Sequence, residues 1–120
     1  MTVQENFKEY YKFPLHLHAD DTELYIRTAN NEVALIFKVS LKDDVIQYIV
    51  DKLNCKSNKS TSVKWYLKNE LEVWFGDMEV MKVSGWSILH KIGYSGYGLS
   101  EEAIRIQDEF AQYVVDTLNS

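Results

Sequence analysis

The chain has 120 residues, 46% of them hydrophobic, and a formal net charge of −5 from 13 Lys and Arg against 18 Asp and Glu. That is one domain's length of chain, with enough apolar side chain for a core and too much for intrinsic disorder. Five Gly, one Pro and one Cys exclude a collagen, a low-complexity linker and a disulfide scaffold, and without a run of Lys or Arg no direct nucleic-acid binding is expected.

In chain order, a short helix is expected over Val3–Tyr11, with Phe7 and Tyr10 or Tyr11 on one face. Pro14 ends it, because the residue before a proline avoids helical angles. Phe13, Leu15 and Leu17 then alternate with His16 and His18, which reads as a strand with its apolar side inward and its histidines outward. Asp20-Asp21 turn the chain into a strand at Leu24–Arg27, and Asn30-Asn31 turn it again into Val33–Val39. Ser40 is placed to cap a helix over about 41–54, with Val45, Ile46, Ile49, Val50 and Leu53 as its apolar face. After the polar loop Lys56–Ser62 come strands at Val63–Leu67, Leu71–Phe75 and Met78–Val83, and a fourth at Trp86–Ile92. The loop Gly93–Ser100 leads into a final helix over about 100–119. There Ser100 suits the cap, and Glu101 and Glu102 suit the positive end of the helix dipole. The order α-βββ-α-ββββ-α implies an α+β fold, helices packed on antiparallel hairpins in a single domain spanning 1–120.

Residues 43–54 (DDVIQYIVDKLN) and 108–119 (DEFAQYVVDTLN) agree at seven of twelve positions. Upstream, ELYI at 23–26 lines up with ELEV at 70–73, and EVALIFKVS at 32–40 with MEVMKVSG at 78–85. The expectation is an internally duplicated domain with pseudo-repeats at about 13–54 and 63–119. Gln47, Tyr48 and Asn54 recur as Gln112, Tyr113 and Asn119, although no core requirement demands them. Tyr48 and Tyr113 each lie at the border of an apolar helix face, where a ring can be buried while its hydroxyl meets a polar partner.

His16 and His18 share one strand face and are metal-ligand candidates if Asp20, Asp21 or His90 comes near. The apolar-in, histidine-out alternation explains the pair without a metal, so no metal or other cofactor is expected. Cys55 is alone and cannot form an internal disulfide, which fits a reducing cytosol. The Gly93–Gly98 loop precedes a helix but lacks the Lys-Ser of a phosphate loop and the spacing of a dinucleotide site. It reads as a connector or as a ligand loop presenting Tyr94 and Tyr97. Trp65, Trp74 and Trp86 fall on expected strands, and Trp74 alternates away from Leu71, Val73 and Phe75. An outward Trp74, with Trp86 and the tyrosines, is a candidate binding platform. No G-x-S-x-G, HExxH or CxxC occurs, so catalysis has no motif behind it.

The stretches FPLHLHADDTELYI (13–26), IVDKLN (49–54), GWSILH (85–90) and EEAIRIQDEFAQYVVDTLN (101–119) resemble small uncharacterised proteins of bacteriophages and prophages. The likeness lies in an N-terminal hairpin ending in an "IVDALN"-like helix and in a Gly-Trp strand before a final "IQDEF" helix. It implies no active site. The element order also resembles that of the small, acidic, dimeric type III secretion chaperones, from which a strand-rich insert between Trp65 and Trp86 departs.

Together these features suggest a non-enzymatic phage or prophage accessory protein that binds a host or phage protein, one version being an inhibitor of a bacterial defence system. The alternatives are a small-molecule, nucleotide-binding or minor enzymatic domain using the Gly93–Gly98 loop, and a chaperone-like dimer. A homodimer through Trp74 with Tyr48 or Tyr113 is the form of self-association expected. No stretch approaches the ~18 apolar residues of a membrane span, and the first residues show no signal-peptide core. A cytoplasmic protein is expected, in the host-cell cytoplasm if phage-encoded.

Overall fold

A computed structural model describes residues 7–56, 64–69, 71–95 and 98–120, with Trp86, Tyr94 and Ser95 described by their backbone alone. The start of the expected Val3–Tyr11 helix lies outside these residues. Within them, residues 7–9 form one tight helical turn, and the N–H groups of Tyr10 and Tyr11 donate to the Phe7 carbonyl at 3.0 and 2.8 Å.

Six strands follow the alternation and turn signals: β1 (His16–Ala19), β2 (Leu24–Arg27), β3 (Val33–Phe37), β4 (Trp65–Lys68), β5 (Glu72–Phe75) and β6 (Met78–Val83). They pair antiparallel throughout, in the order β1-β2-β3-β6-β5-β4. Helix α1 (Asp43–Leu53) follows β3, and α2 (Trp86–Ile92) and α3 (Glu101–Asn119) follow β6. A two-residue ladder, β7 (Tyr94–Ser95) with β8 (Gly98–Leu99), joins α2 to α3. Helix α3 packs on β4, α1 and α2, so the helices form one layer on one face of the sheet, an α+β arrangement. The core between the layers takes Ile26, Leu35, Val73 and Met81 from the sheet, Ile49 and Leu53 from α1, and Ile106, Phe110, Val114 and Leu118 from α3. Burying each of these large side chains contributes roughly 1.5–3 kcal/mol. No helix among the described residues is long and apolar enough to cross a membrane.

Four local expectations change. The segment Trp86–Ile92, expected as a strand, is helix α2. Ile88 and Leu89 are both buried and Ile92 is half-buried; a strand would send neighbours to opposite faces, whereas a helix keeps i, i+1 and i+4 together. Ser40 does not cap α1, which begins at Asp43 after Lys42 and has no side-chain cap. Val45 is 38% exposed rather than part of the core. Leu17 points to the helix side like Leu15 but is 40% exposed, because β1 is an edge strand beyond the helices' cover. By contrast Ser100 caps α3 as its sequence implies, its Oγ accepting from the Ala103 N–H at 3.1 Å.

Each half carries one register shift. The β2–β3 ladder shifts between Ile26 and Arg27, and the β5–β6 ladder shifts between Val73 and Trp74. Matching these irregularities sets Ile26 with Val73, Ala34 with Val80, and Ile36 with Lys82. Ile36 and Lys82 are direct partners at the centre of the sheet. At the edges, the Asn54 amide bonds the Leu15 N–H and C=O at 2.7 and 2.8 Å, and Asn119 bonds the Trp65 N–H and C=O at 2.8 Å each. Each helix end thus covers backbone groups that an edge strand would otherwise present to another chain. Gln47 and Gln112 each donate to an Asp one turn on, at 2.8 Å. The Tyr113 hydroxyl donates to the Leu53 carbonyl at 2.7 Å, and the buried Lys52 ammonium donates to the Ser120 carbonyl at 2.8 Å, tying α1 to the end of α3.

Candidate functional site

Strand alternation sends one set of side chains away from the helices. Across the sheet, His18, Tyr25, Ile36, Lys82, Glu72 and Lys68 form one continuous row, and Tyr66, Trp74 and Glu79 a shorter one. Trp74 faces outward, as its alternation implies, but it is already engaged. Its indole N–H donates to Glu72 Oε1 at 3.0 Å, the Lys68 ammonium lies 4.2 Å from its ring centre, and the Tyr66 ring stacks at 6.3 Å. At the far edge His18 stacks on Tyr25 at 6.2 Å, and the Arg27 guanidinium lies 5.8 Å from the same ring. The N–H groups of Thr22 and Glu23 hold the Asp20 carboxyl down at about 2, and hydrogen bonds to Glu23 and then Asp20 push the Tyr25 phenol up to about 12.

The other expected site residues are not brought to this face. Tyr48 on α1 and Tyr113 on α3 lie in the helix layer, across the sheet from Trp74, so the three do not form one surface. Trp86 opens α2, but its side chain, that of Tyr94, and Tyr97 itself lie outside the described residues. The Gly93–Gly98 segment closes as a narrow ladder, with the Ser100 N–H donating to the Gly93 carbonyl at 3.1 Å. His16 directs Nε2 at the Thr28 carbonyl, 2.9 Å away, while His90 belongs to α2 on the opposite side of the sheet. Among the described residues no three His, Cys, Asp or Glu side chains come together as metal ligands.

Among the described residues, one hollow of about 520 Å³ lies between the β1–β2 turn, residues 37–41 and the start of α1, and two others flank the helices. The larger, about 760 Å³ along the outside of α3, is lined mainly by charged residues, and its Arg105 already pairs with Glu102 and Glu109 at 3.1 and 3.2 Å. The smaller, about 440 Å³, is an apolar groove. Leu41, Val45 and Tyr48 form its α1 wall, and Trp65, Phe75, Met78 and Val80 its sheet wall, with Asp44 at the rim. Val45 and Met78 are each 38% exposed. Trp65 is only 5% exposed, yet its indole N–H is buried without a hydrogen-bond acceptor among the described residues. No known protein family, curated protein or solved structure matches the chain.

Of the groove's lining, sequence reasoning named only Tyr48 as a candidate, and passed over Trp65 and Val45 among the rest. Val45 has the spacing of a core residue, and Trp65 was one of three equivalent-looking strand tryptophans. The signal available was the repeat, which sets Val45 against Phe110: a large aromatic in one half stands opposite a small side chain in the other.

Proposed function

We propose that the domain acts by binding a protein partner, without chemistry of its own, through the groove between α1 and the β4–β5–β6 end of the sheet. The observation that carries this reading is the buried Trp65 indole N–H, without an acceptor among the described residues, in an apolar, partly exposed groove. A buried donor left unpaired costs roughly 1–3 kcal/mol, and an oxygen brought by a partner removes that cost. Apolar walls around one polar anchor are the usual construction of a binding groove. The resemblance to phage and prophage proteins supplies the setting: an accessory protein that meets a host or phage protein, inhibition of a defence system being one form of that role. The correspondence of the halves supports descent from a single strand–strand–strand–helix unit as part of the same proposal.

The test is affinity capture from a bacterial lysate with wild type and Val45→Asp in parallel. A protein retained by wild type and lost with Val45→Asp is the expected result. Wild type retaining nothing above background, or both baits retaining the same protein equally, overturns the reading.

A further inference from the structure

Resting on the reading of the groove as a partner site, we infer the chemistry of its occupant: aromatic side chains projecting from a single helical turn, with a lysine beside them. The molecule contains a filled counterpart of the groove. Continuing the register match sets Trp65 with Leu15, Phe75 with Thr28, and Val80 with Ala34. On the helices, Val45 and Tyr48 match Phe110 and Tyr113.

Between α3 and the first-half residues this seat is closed. Leu15, Thr28, Ala34 and Phe110 are at most 2% exposed. The cover is the N-terminal turn. Phe7 packs 5.8 Å from Phe110 and 5.0 Å from Tyr113, and Tyr11 stacks parallel on Phe110 at 4.1 Å. Both covering rings are at most 1% exposed. The segment that precedes β4, as this turn precedes β1, reads SNKSTSV over 57–63 and contains no aromatic residue. The seat between α1 and the second-half strands therefore gains no ring from the segment that precedes β4.

The two seats differ in which wall carries the aromatics. In the first, the ring is Phe110 on α3, and the sheet-side residues Leu15, Thr28 and Ala34 supply none. In the second, Val45 on the helix faces Trp65 and Phe75 on the strands, so an incoming ring stacks against the sheet side. A single helical turn also ends in carbonyls without intrahelical partners, which are suitable acceptors for the Trp65 N–H. The lysine follows from the same match: the Lys8 ammonium, next to Phe7, lies 5.6 Å from the centre of the Tyr113 ring, the counterpart of Tyr48, and Asp44 stands at the rim of the open groove. A short helical turn laid into an apolar groove is an established mode of peptide recognition.

The probe is a peptide of residues 4–13, QENFKEYYKF, titrated into the isotope-labelled full chain and followed by NMR. The expected result is one-to-one binding that shifts Val45, Met78 and the Trp65 indole N–H. Replacing Phe7 and Tyr11 of the peptide by Ala should weaken binding at least about tenfold. Trp65→Phe in the protein, which keeps a ring and removes the donor, should weaken it about fivefold. Both protein variants are first checked for an unchanged circular-dichroism spectrum. Shifts confined to Phe110 and Tyr113 would mean displacement of the chain's own turn and would overturn the proposal. Self-association of the unliganded chain that Val45→Asp abolishes would give the groove to a second copy, again overturning it. If the peptide fails up to about 1 mM while lysate capture still depends on Val45, the partner chemistry is wrong and the partner site stands; if capture fails too, both fall.

Discussion

Replacing Asn54 or Asn119 by Ala tests the correspondence of the two halves. Each amide closes two hydrogen bonds on the backbone of one edge-strand residue, at 2.7–2.8 Å, in a part-buried setting. At about 1 kcal/mol per bond, with a further penalty for backbone groups left without a partner, each substitution should cost about 2–3 kcal/mol. Unfolding entropy of about 2.1 cal/mol/K per residue gives roughly 0.25 kcal/mol/K for this chain, so the melting temperature should fall by about 8–12 °C. The two sites sit at opposite edges of the sheet, but the helix ends that carry them are tied together by the Lys52–Ser120 and Tyr113–Leu53 hydrogen bonds. The double variant should lose about 4–6 kcal/mol, departing from the sum of the singles by at least about 0.5 kcal/mol because the two ends share that network. Urea denaturation checks this, with the midpoint falling at unchanged slope. The edges uncovered by the double variant should also make it more prone to aggregate. The reasoning is refuted if either single variant stays within about 0.5 kcal/mol of wild type, since the bonds would then contribute little. A difference above about 1 kcal/mol between the two would break the equivalence of the halves.

Other perturbations follow from the same geometry. The Tyr11 hydroxyl is buried without a partner among the described residues, and burial pushes its phenol well above the ordinary range, so Tyr11→Phe should raise stability by about 1 kcal/mol in urea titration. A Cβ on Gly85 would lie 2.6 Å from that hydroxyl, so Gly85→Ala should destabilise by about 1–3 kcal/mol and be partly rescued in a Tyr11→Phe background; full additivity of the pair would exclude the clash. The Tyr25 phenol, raised to about 12 by Glu23 first and Asp20 second, should titrate earlier by ultraviolet absorbance in Glu23→Gln and, less so, in Asp20→Asn. Its folded value lies above the ordinary value of about 10, so its contribution to stability is complete below about pH 10 and disappears as pH rises through 12. Asp20, lowered to about 2, behaves oppositely: its contribution is complete above about pH 4 and disappears as pH falls toward 2, which carboxyl chemical shifts can follow. Sedimentation of wild type and Trp74→Ala addresses the outward face. Because the Trp74 ring is already held by Lys68, Glu72 and Tyr66, both should sediment alike at micromolar concentration, and a dimer lost with Trp74→Ala would contradict that.

Much of the fold lies in short-range pattern. Alternation over Leu24–Arg27 and Val33–Phe37, turn residues at Asn30-Asn31 and Gly76-Asp77, and the Ser100 cap before the apolar stripe of α3 each act within a few residues. Periodicity and local hydrogen bonding are properties of the neighbouring chain, and so they can be read from it. The repeated Asn54 and Asn119 are visible there too, though their purpose is not, because each bonds a strand residue tens of positions away. Long-range packing decided the rest. Pairing of β3 with β6 made one sheet out of two hairpin sets, and Trp86–Ile92 packs against α3 as a helix, which turns Ile88, Leu89 and Ile92 to one side. Val45 and Trp65 have ordinary core patterns, yet one is 38% exposed and the other's N–H has no acceptor among the described residues. The aromatic turn at Phe7–Tyr11 fills the first seat, while the stretch before β4 offers no ring for the second. Periodicity says which face of an element is apolar; only the assembled layers say whether something covers it.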